Sequence, residues 1–116
     1  MSVLAIETIV REALDDIKAR ETVVIDVRER TPMTDLIVVT TGTSGRHIQA
    51  IARNVIDRAK EYGIHILGIE GDEPGSEWVL VDLGDAVVHV MTAESREFYR
   101  LERIWEMDPA VDTDVH

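Results

Sequence analysis

Along the first twenty positions, apolar residues recur at the spacing of one helix face. Ile6, Ile9, Val10, Ala13, Leu14 and Ile17 form a single stripe with polar residues around it. Ser2 stands where an N-cap is needed, and Lys18 and Arg20 fall in the expected last turn, where cations suit the helix dipole. The period then changes. Thr22 to Val27 is β-branched and nearly continuous, which predicts a buried strand. Arg28 to Thr34 is a polar connection broken by Pro32, and Asp35 to Thr41 predicts a second buried strand.

Gly42-Thr43-Ser44-Gly45 turns the chain into a second helix, with Ile48, Ile51, Ala52, Val55, Ile56 and Ala59 at helical spacing and Gly63 as its stop. Ile64 to Glu70 predicts a third strand, and Gly71 to Gly75 a turn-rich loop. Glu77 to Asp82 and Ala86 to Met91 flank Leu83-Gly84-Asp85 and predict a hairpin. The last helix starts near Ala93, with Phe98, Leu101, Ile104 and Trp105 on one side. The order is α-β-β-α-β-β-β-α. It implies one α/β domain over residues 1–107 and a flexible tail over 108–116. The segment from Asp35 to Glu70 should be a right-handed parallel crossover, while the hairpin must be antiparallel. The sheet is therefore mixed and five-stranded, and strands apolar on both faces call for helices covering much of it.

Hairpin register decides what lies beside what. Trp78, Leu80 and Asp82 share one strand face. If Gly84-Asp85 is a two-residue type II′ turn, Leu83 pairs with Ala86, Trp78 faces Met91, Leu80 faces His89 and Asp82 faces Val87. That register makes a patch of Trp, Leu, Met and His rimmed by acid, which is the composition of an interface hot spot. A three-residue loop would send His89 and Met91 to the opposite face. Trp78 as plain core under a helix is an equal reading of the same residues.

Composition narrows the chemistry. At 116 residues there is no room for a second core, and 45% hydrophobic with 30% charged residues is ordinary for a globular domain. The net charge of −11 is not ordinary. It disfavours wrapping in RNA or DNA, and it favours a basic protein as partner or serves solubility alone. There is no cysteine, hence no disulfide framework and no thiolate chemistry. With neither a leader-like start nor an apolar run of membrane-span length, the expected location is the cytoplasm and no membrane contact is expected.

Catalytic constellations are sparse. The turn around Thr43, Ser44 and Arg46 could offer helix N–H groups, hydroxyls and a cation to a phosphate, but it matches no phosphate-loop spacing, and Ser or Thr there also serves as a helix cap. Asp26, Asp35, Glu70, Asp72, Glu73, Asp82 and Asp85 sit near strand ends without a D-x-D after the turn, as a nucleotidyltransferase would need. His47, His65, His89 and His116 show no metal-ligand spacing. No catalytic residue, metal or cofactor is expected. Two rivals to a binding protein remain: a nucleotide-dependent phosphoryl or nucleotidyl transferase using Thr43, Ser44 and Arg46, and an adaptor docking through the stripe of the first helix.

Ordered motifs then carry a resemblance. Leu14-Asp15-Asp16-Ile17-Lys18, Ile25-Asp26-Val27, Thr34-Asp35, Thr41-Gly42-Thr43-Ser44, Arg46-His47, Glu70-Gly71, Glu77-Trp78, Asp82-Leu83-Gly84-Asp85, His89, Glu94-Ser95-Arg96, Tyr99, Leu101-Glu102 and Trp105 occur in the order seen in the ribosomal silencing factor family (RsfS, Iojap-like or YbeB). The chain resembles that family from about Leu14 to Trp105; the tail lies outside the pattern. The resemblance implies a nucleotidyltransferase-like fold without its catalytic motif and a translational repressor rather than an enzyme. It implies binding to the large ribosomal subunit through ribosomal protein L fourteen, with the joining of the small subunit blocked sterically. It also implies little direct nucleic-acid contact and a capacity to form homodimers. The contact residues carried over are Trp78, Leu80, Asp82, Asp85 and Glu70; His89 joins them if the turn has two residues, and Arg96 and Tyr99 are further positions that could instead brace the hairpin.

Overall fold

The computed structural model describes residues 2–99, including every side chain except those of Phe98 and Tyr99. The elements are α1 (Val3–Asp16), β1 (Arg20–Asp26), β2 (Leu36–Gly42), α2 (Gly45–Glu61), β3 (Gly68–Glu70), β4 (Trp78–Asp82), β5 (Ala86–Thr92) and α3 (Ala93–Tyr99). Positions 101, 104 and 105 of the expected last helix, and the expected tail, lie outside the described residues.

Both long helices begin on serine caps. Ser2 accepts the Ala5 N–H and Ser44 accepts the His47 N–H. Both end in the same hydrogen-bond pattern. At the end of α2, Gly63 N–H reaches the Lys60 carbonyl and Ile64 N–H reaches the Ala59 carbonyl, with Gly63 at φ +76. At the end of α1, Lys18 takes the glycine's place at φ +60. The first helix therefore stops at Asp16. Lys18 lies beyond its last turn and Arg20 opens β1, which corrects the longer helix expected from the apolar stripe. A glycine would have marked the boundary; a lysine in the left-handed region conceals it.

The sheet order is β1-β2-β5-β4-β3. β2 and β5 pair in parallel at the centre, and the β1/β2, β5/β4 and β4/β3 pairs are antiparallel. β3 thus runs parallel to β2, as the strand–helix–strand reading requires, but at the far edge with β5 and β4 between them. β3 is also shorter than expected. Residues 64–66 leave the ladder because Ile64 continues the helix cap, and Ile64 and Ile66 turn inward onto the core, while the Leu67 N–H still reaches the Asp82 carbonyl at 2.8 Å. The hairpin turn has two residues: Leu83 N–H donates to the Ala86 carbonyl at 2.8 Å and Gly84 sits at φ +85, as a type II′ turn demands.

The main core lies on one face of the sheet. Ile6, Val10, Ala13 and Leu14 of α1 and Ile48, Ile51, Val55 and Ile56 of α2 close over Leu36, Val38, Val79, Val81, Val88 and Val90. Arg58 clamps the two helices by pairing with Asp16 and, at 3.2 Å, Glu12. Ile6 and Ile9 are buried and Ile17 is half-buried inside the monomer, so the stripe of the first helix is spent on the core and the adaptor reading loses its surface. Both long helices lie on this one face, and α3 packs against β5 and β2, so helices flank the sheet as expected. The second face holds its own smaller cluster of Ile25, Val27, Ile37, Val39 and Met91. Among the described residues no helix is long and apolar enough to cross a membrane.

One glycine ties the loop after β3 to the second face. Gly71 sits at φ +79, and a Cβ there would collide with the Trp78 carbonyl oxygen. Gly71→Ala should therefore lower stability by about 1–3 kcal/mol, because backbone strain and a backbone clash coincide. Urea denaturation of the variant against wild type measures this.

The second face of the sheet as a candidate binding site

Ladder register places the side chains of the second face in three rows across the strands. One runs Thr41, Met91, Trp78; the next Val23, Val39, His89, Leu80, Glu70; the third Ile25, Ile37, Val87, Asp82, Gly68. At β1 and β2 the first row ends on the buried Thr41, and the other two are aliphatic, with Val39, Ile25 and Ile37 buried and Val23 half-buried. Toward β4 and β3 the rows become aromatic, then acidic, and more open: Trp78, Leu80, Asp82, Val87 and His89 are half-buried and Glu70 is exposed. α3 packs against β5 and β2, over the other end of the face.

Trp78 is neither plain core nor free anchor. It rests on Met91, which is fully buried, and its indole N–H donates to His89 Nδ1 at 3.1 Å. The two rings are tilted by 48° with centroids 5.9 Å apart. Ser76 holds the backbone at this point: its hydroxyl donates to the Trp78 carbonyl at 3.0 Å and accepts the Trp78 N–H at 3.3 Å. Burial pushes the His89 imidazole below its ordinary value of 6.5, since the charged form loses solvent there.

The expected contact residues separate into three groups. Trp78, Leu80 and His89 form the apolar centre, with Asp82 and Glu70 at its border, as the two-residue turn requires. Met91 lies beneath Trp78 and takes no part in the accessible surface. Asp85 is exposed, but it sits at the turn on the sheet's end. Its carbonyl accepts the N–H groups of Asp35 and Leu36, both at 3.1 Å, and so fastens the hairpin to the start of β2. Asp82 also has a local task, accepting the Gly84 N–H at 2.8 Å.

Arg96 does not join the patch. It is buried over Thr41, donating to the Thr41 hydroxyl at 2.8 Å and to the Glu21 carbonyl, and so it secures α3 to β1 and β2. The side chain of Tyr99 lies outside the described residues. Val87 joins the face opposite Asp82, as the two-residue turn requires. One participant escaped the sequence reading: Ser76 shows itself only as a hydroxyl residue two positions before the tryptophan.

The glycine-rich turn before α2 is built for a different purpose. Thr43 N–H donates to His47 Nδ1 at 2.8 Å, so the His47 proton sits on Nε2 and is donated to the Ile17 carbonyl at 2.6 Å. His47 thereby stitches the start of α2 to the end of α1. Arg46 points from an exposed position. An open cleft of about 500 Å³ lies beside Gly42, Gly45 and Gly75, and its rim carries the carboxylates of Glu77 and Glu94, which repel a phosphate. Among the described residues no three His, Asp or Glu side chains are grouped to hold a metal ion.

Two predictions follow from these contacts. Arg96→Ala strands the Thr41 hydroxyl and the Glu21 carbonyl and should cost about 2 kcal/mol of stability, read by chemical denaturation. For His89, a depressed folded value means that the unfolded chain binds the proton more readily. Stability should therefore begin to fall as the pH drops below 6.5 and level off once the pH passes the depressed folded value. The difference between wild type and His89→Asn in urea midpoints across that window isolates this one group.

A family model described as ribosomal silencing factor during starvation matches residues 2–116. The ribosomal silencing factor of Chromobacterium violaceum is 42% identical over 105 residues, covering 90% of this chain and 85% of that protein. The ribosomal silencing factor of Bacillus subtilis is 38% identical over 114 residues, covering 98% and 96%. A crystal structure of a Chromobacterium violaceum protein superposes with a TM-score of 0.88 at 41% identity, over 94% of this chain and 91% of that one. A match over essentially the whole chain, on a fold shared at that identity, places this protein in the ribosomal silencing factor family.

Proposed function

We propose that this protein represses translation by binding the large ribosomal subunit through ribosomal protein L fourteen, on the side that receives the small subunit, so that its bulk blocks joining. The observation that carries this reading is the half-buried Trp78–Leu80–His89 surface with Asp82 and Glu70 at its border. It combines a rigid aromatic anchor with apolar neighbours and flanking charge, the make-up of surfaces that bind protein. The charge of −11 sets the chemistry of the partner. A basic protein surface attracts it, while ribosomal RNA repels it beyond the immediate contact. At physiological salt that repulsion decays over about 8 Å, so a local acidic-to-basic match survives near RNA. Direct contact is thus compact and made with protein, and the action is cytoplasmic, where the subunits join. A second copy docking through the same face would compete with the ribosome.

A nucleotide-dependent transferase at the turn before α2 has less support. Thr43 and Ser44 are engaged in capping and in holding His47, and the neighbouring cleft is acidic at its rim.

Trp78→Ala should weaken binding to purified ribosomal protein L fourteen by about 2 kcal/mol or more, roughly thirtyfold, with the fold retained. A pull-down checked by circular dichroism reads both. Undiminished capture by the variant overturns the assignment of the face. Co-sedimentation with free large subunits, and not with joined ribosomes, tests the block on joining.

A further inference from the structure

The hydrogen bond between Trp78 and His89 has a direction. An indole N–H can only donate, so Nδ1 of His89 must be unprotonated and its proton must sit on Nε2. An imidazolium offers two N–H groups and no acceptor, and it cannot hold the indole in this pose. The ring itself has little room to adjust. His89 lies mid-strand in β5, between Val39 of β2 and Leu80 of β4, with Val88 and Val90 on either side fixed in the main core. An aliphatic residue would fill this strand position without the desolvation cost of an imidazole. What the histidine adds is an acceptor aimed at Trp78.

Resting on the reading of this face as the partner surface, we propose that His89 is a positioning residue: its neutral imidazole locks the Trp78 indole across β4 and β5 and presets the anchor for the partner, and protonation of His89 releases it. Ser76 fixes the Trp78 backbone, His89 fixes its side chain, and Met91 supports it from below. A side chain already ordered before contact spares the complex that ordering cost, worth about three- to tenfold in affinity.

Charged groups around the imidazole leave this device to burial. From β3 the nearest is Glu70, beyond Leu80, and from β4 it is Asp82, diagonal to His89 beside Val87. β2 presents Ile37, Val39 and Thr41 and β1 presents Val23 and Ile25, all uncharged. Arg96 of α3 is directed to Thr41 and the Glu21 carbonyl.

The test has two readouts. In the free ¹⁵N-labelled protein, with the Trp78 indole resonance assigned by Trp78→Phe, acidification from neutral pH through the depressed His89 value, below 6.5, should move that resonance together with His89 titration. Binding to purified ribosomal protein L fourteen should weaken over the same range. His89→Asn supplies an uncharged amide oxygen near the Nδ1 position; it should lose this component of the pH dependence. His89→Leu should bind about three- to tenfold more weakly near neutral pH. An indole resonance that ignores the titration of His89 overturns the positioning role whatever the binding shows. So does a pH dependence that persists undiminished in His89→Asn. Undiminished binding by Trp78→Ala overturns instead the face as the binding site, so the two failures are distinguishable.

Discussion

The backbone bond from Leu83 N–H to the Ala86 carbonyl closes a two-residue turn, and the composition of both sheet faces depends on it. Side chains alternate with a period of two, so one added residue in that turn would exchange the whole inward and outward sets of β5. His89 would enter the main core against α2, and Val88 and Val90 would take its place on the second face. Gly84 makes the short turn feasible, since its φ of +85 is costly for any residue with a Cβ. The Asp82 carboxylate and the Asp85 carbonyl then fix the turn from both sides, one to the Gly84 N–H and the other to the start of β2.

From that register follows a division of labour between the faces. One is sealed by α1 and α2 through aliphatic packing and is the source of most of the burial. The other grades from aliphatic rows at β1 and β2 to an aromatic and acidic margin at β4 and β3. A sheet needs only one fully packed face to be stable, which leaves the second free to carry recognition. Its polar groups are not idle there. Trp78 finds His89, Ser76 finds the Trp78 backbone, and Arg96 finds Thr41, so the face is organised by hydrogen bonds as well as by apolar contact. Acids at the border, rather than bases, make that margin anionic.

Local signals account for what was legible along the chain. The stripes of α1 and α2, the caps at Ser2 and Ser44, the stop at Gly63 and the glycine in the hairpin each announce themselves within a few residues. The misjudged boundaries have non-local or atypical causes. Lys18 ends α1 in a conformation that glycine usually signals. Residues 64–66 look like strand by composition, yet Ile64 is recruited to the helix cap and Ile66 to the core. Arg96 resembles a surface cation in sequence, and only contact with a strand more than fifty residues earlier makes it a buried brace.

Sequence by itself therefore determined the elements, their order, the acidity of the chain, and the family. Each of these rests on local periodicity, on composition or on an ordered set of motifs. Tertiary structure alone decided that β3 closes the far edge of the sheet, that α1 and α2 share one face, and that Trp78 meets His89. Those outcomes depend on which strands pair and in what register, and pairing energy is collected between residues distant in sequence, where no local pattern records it.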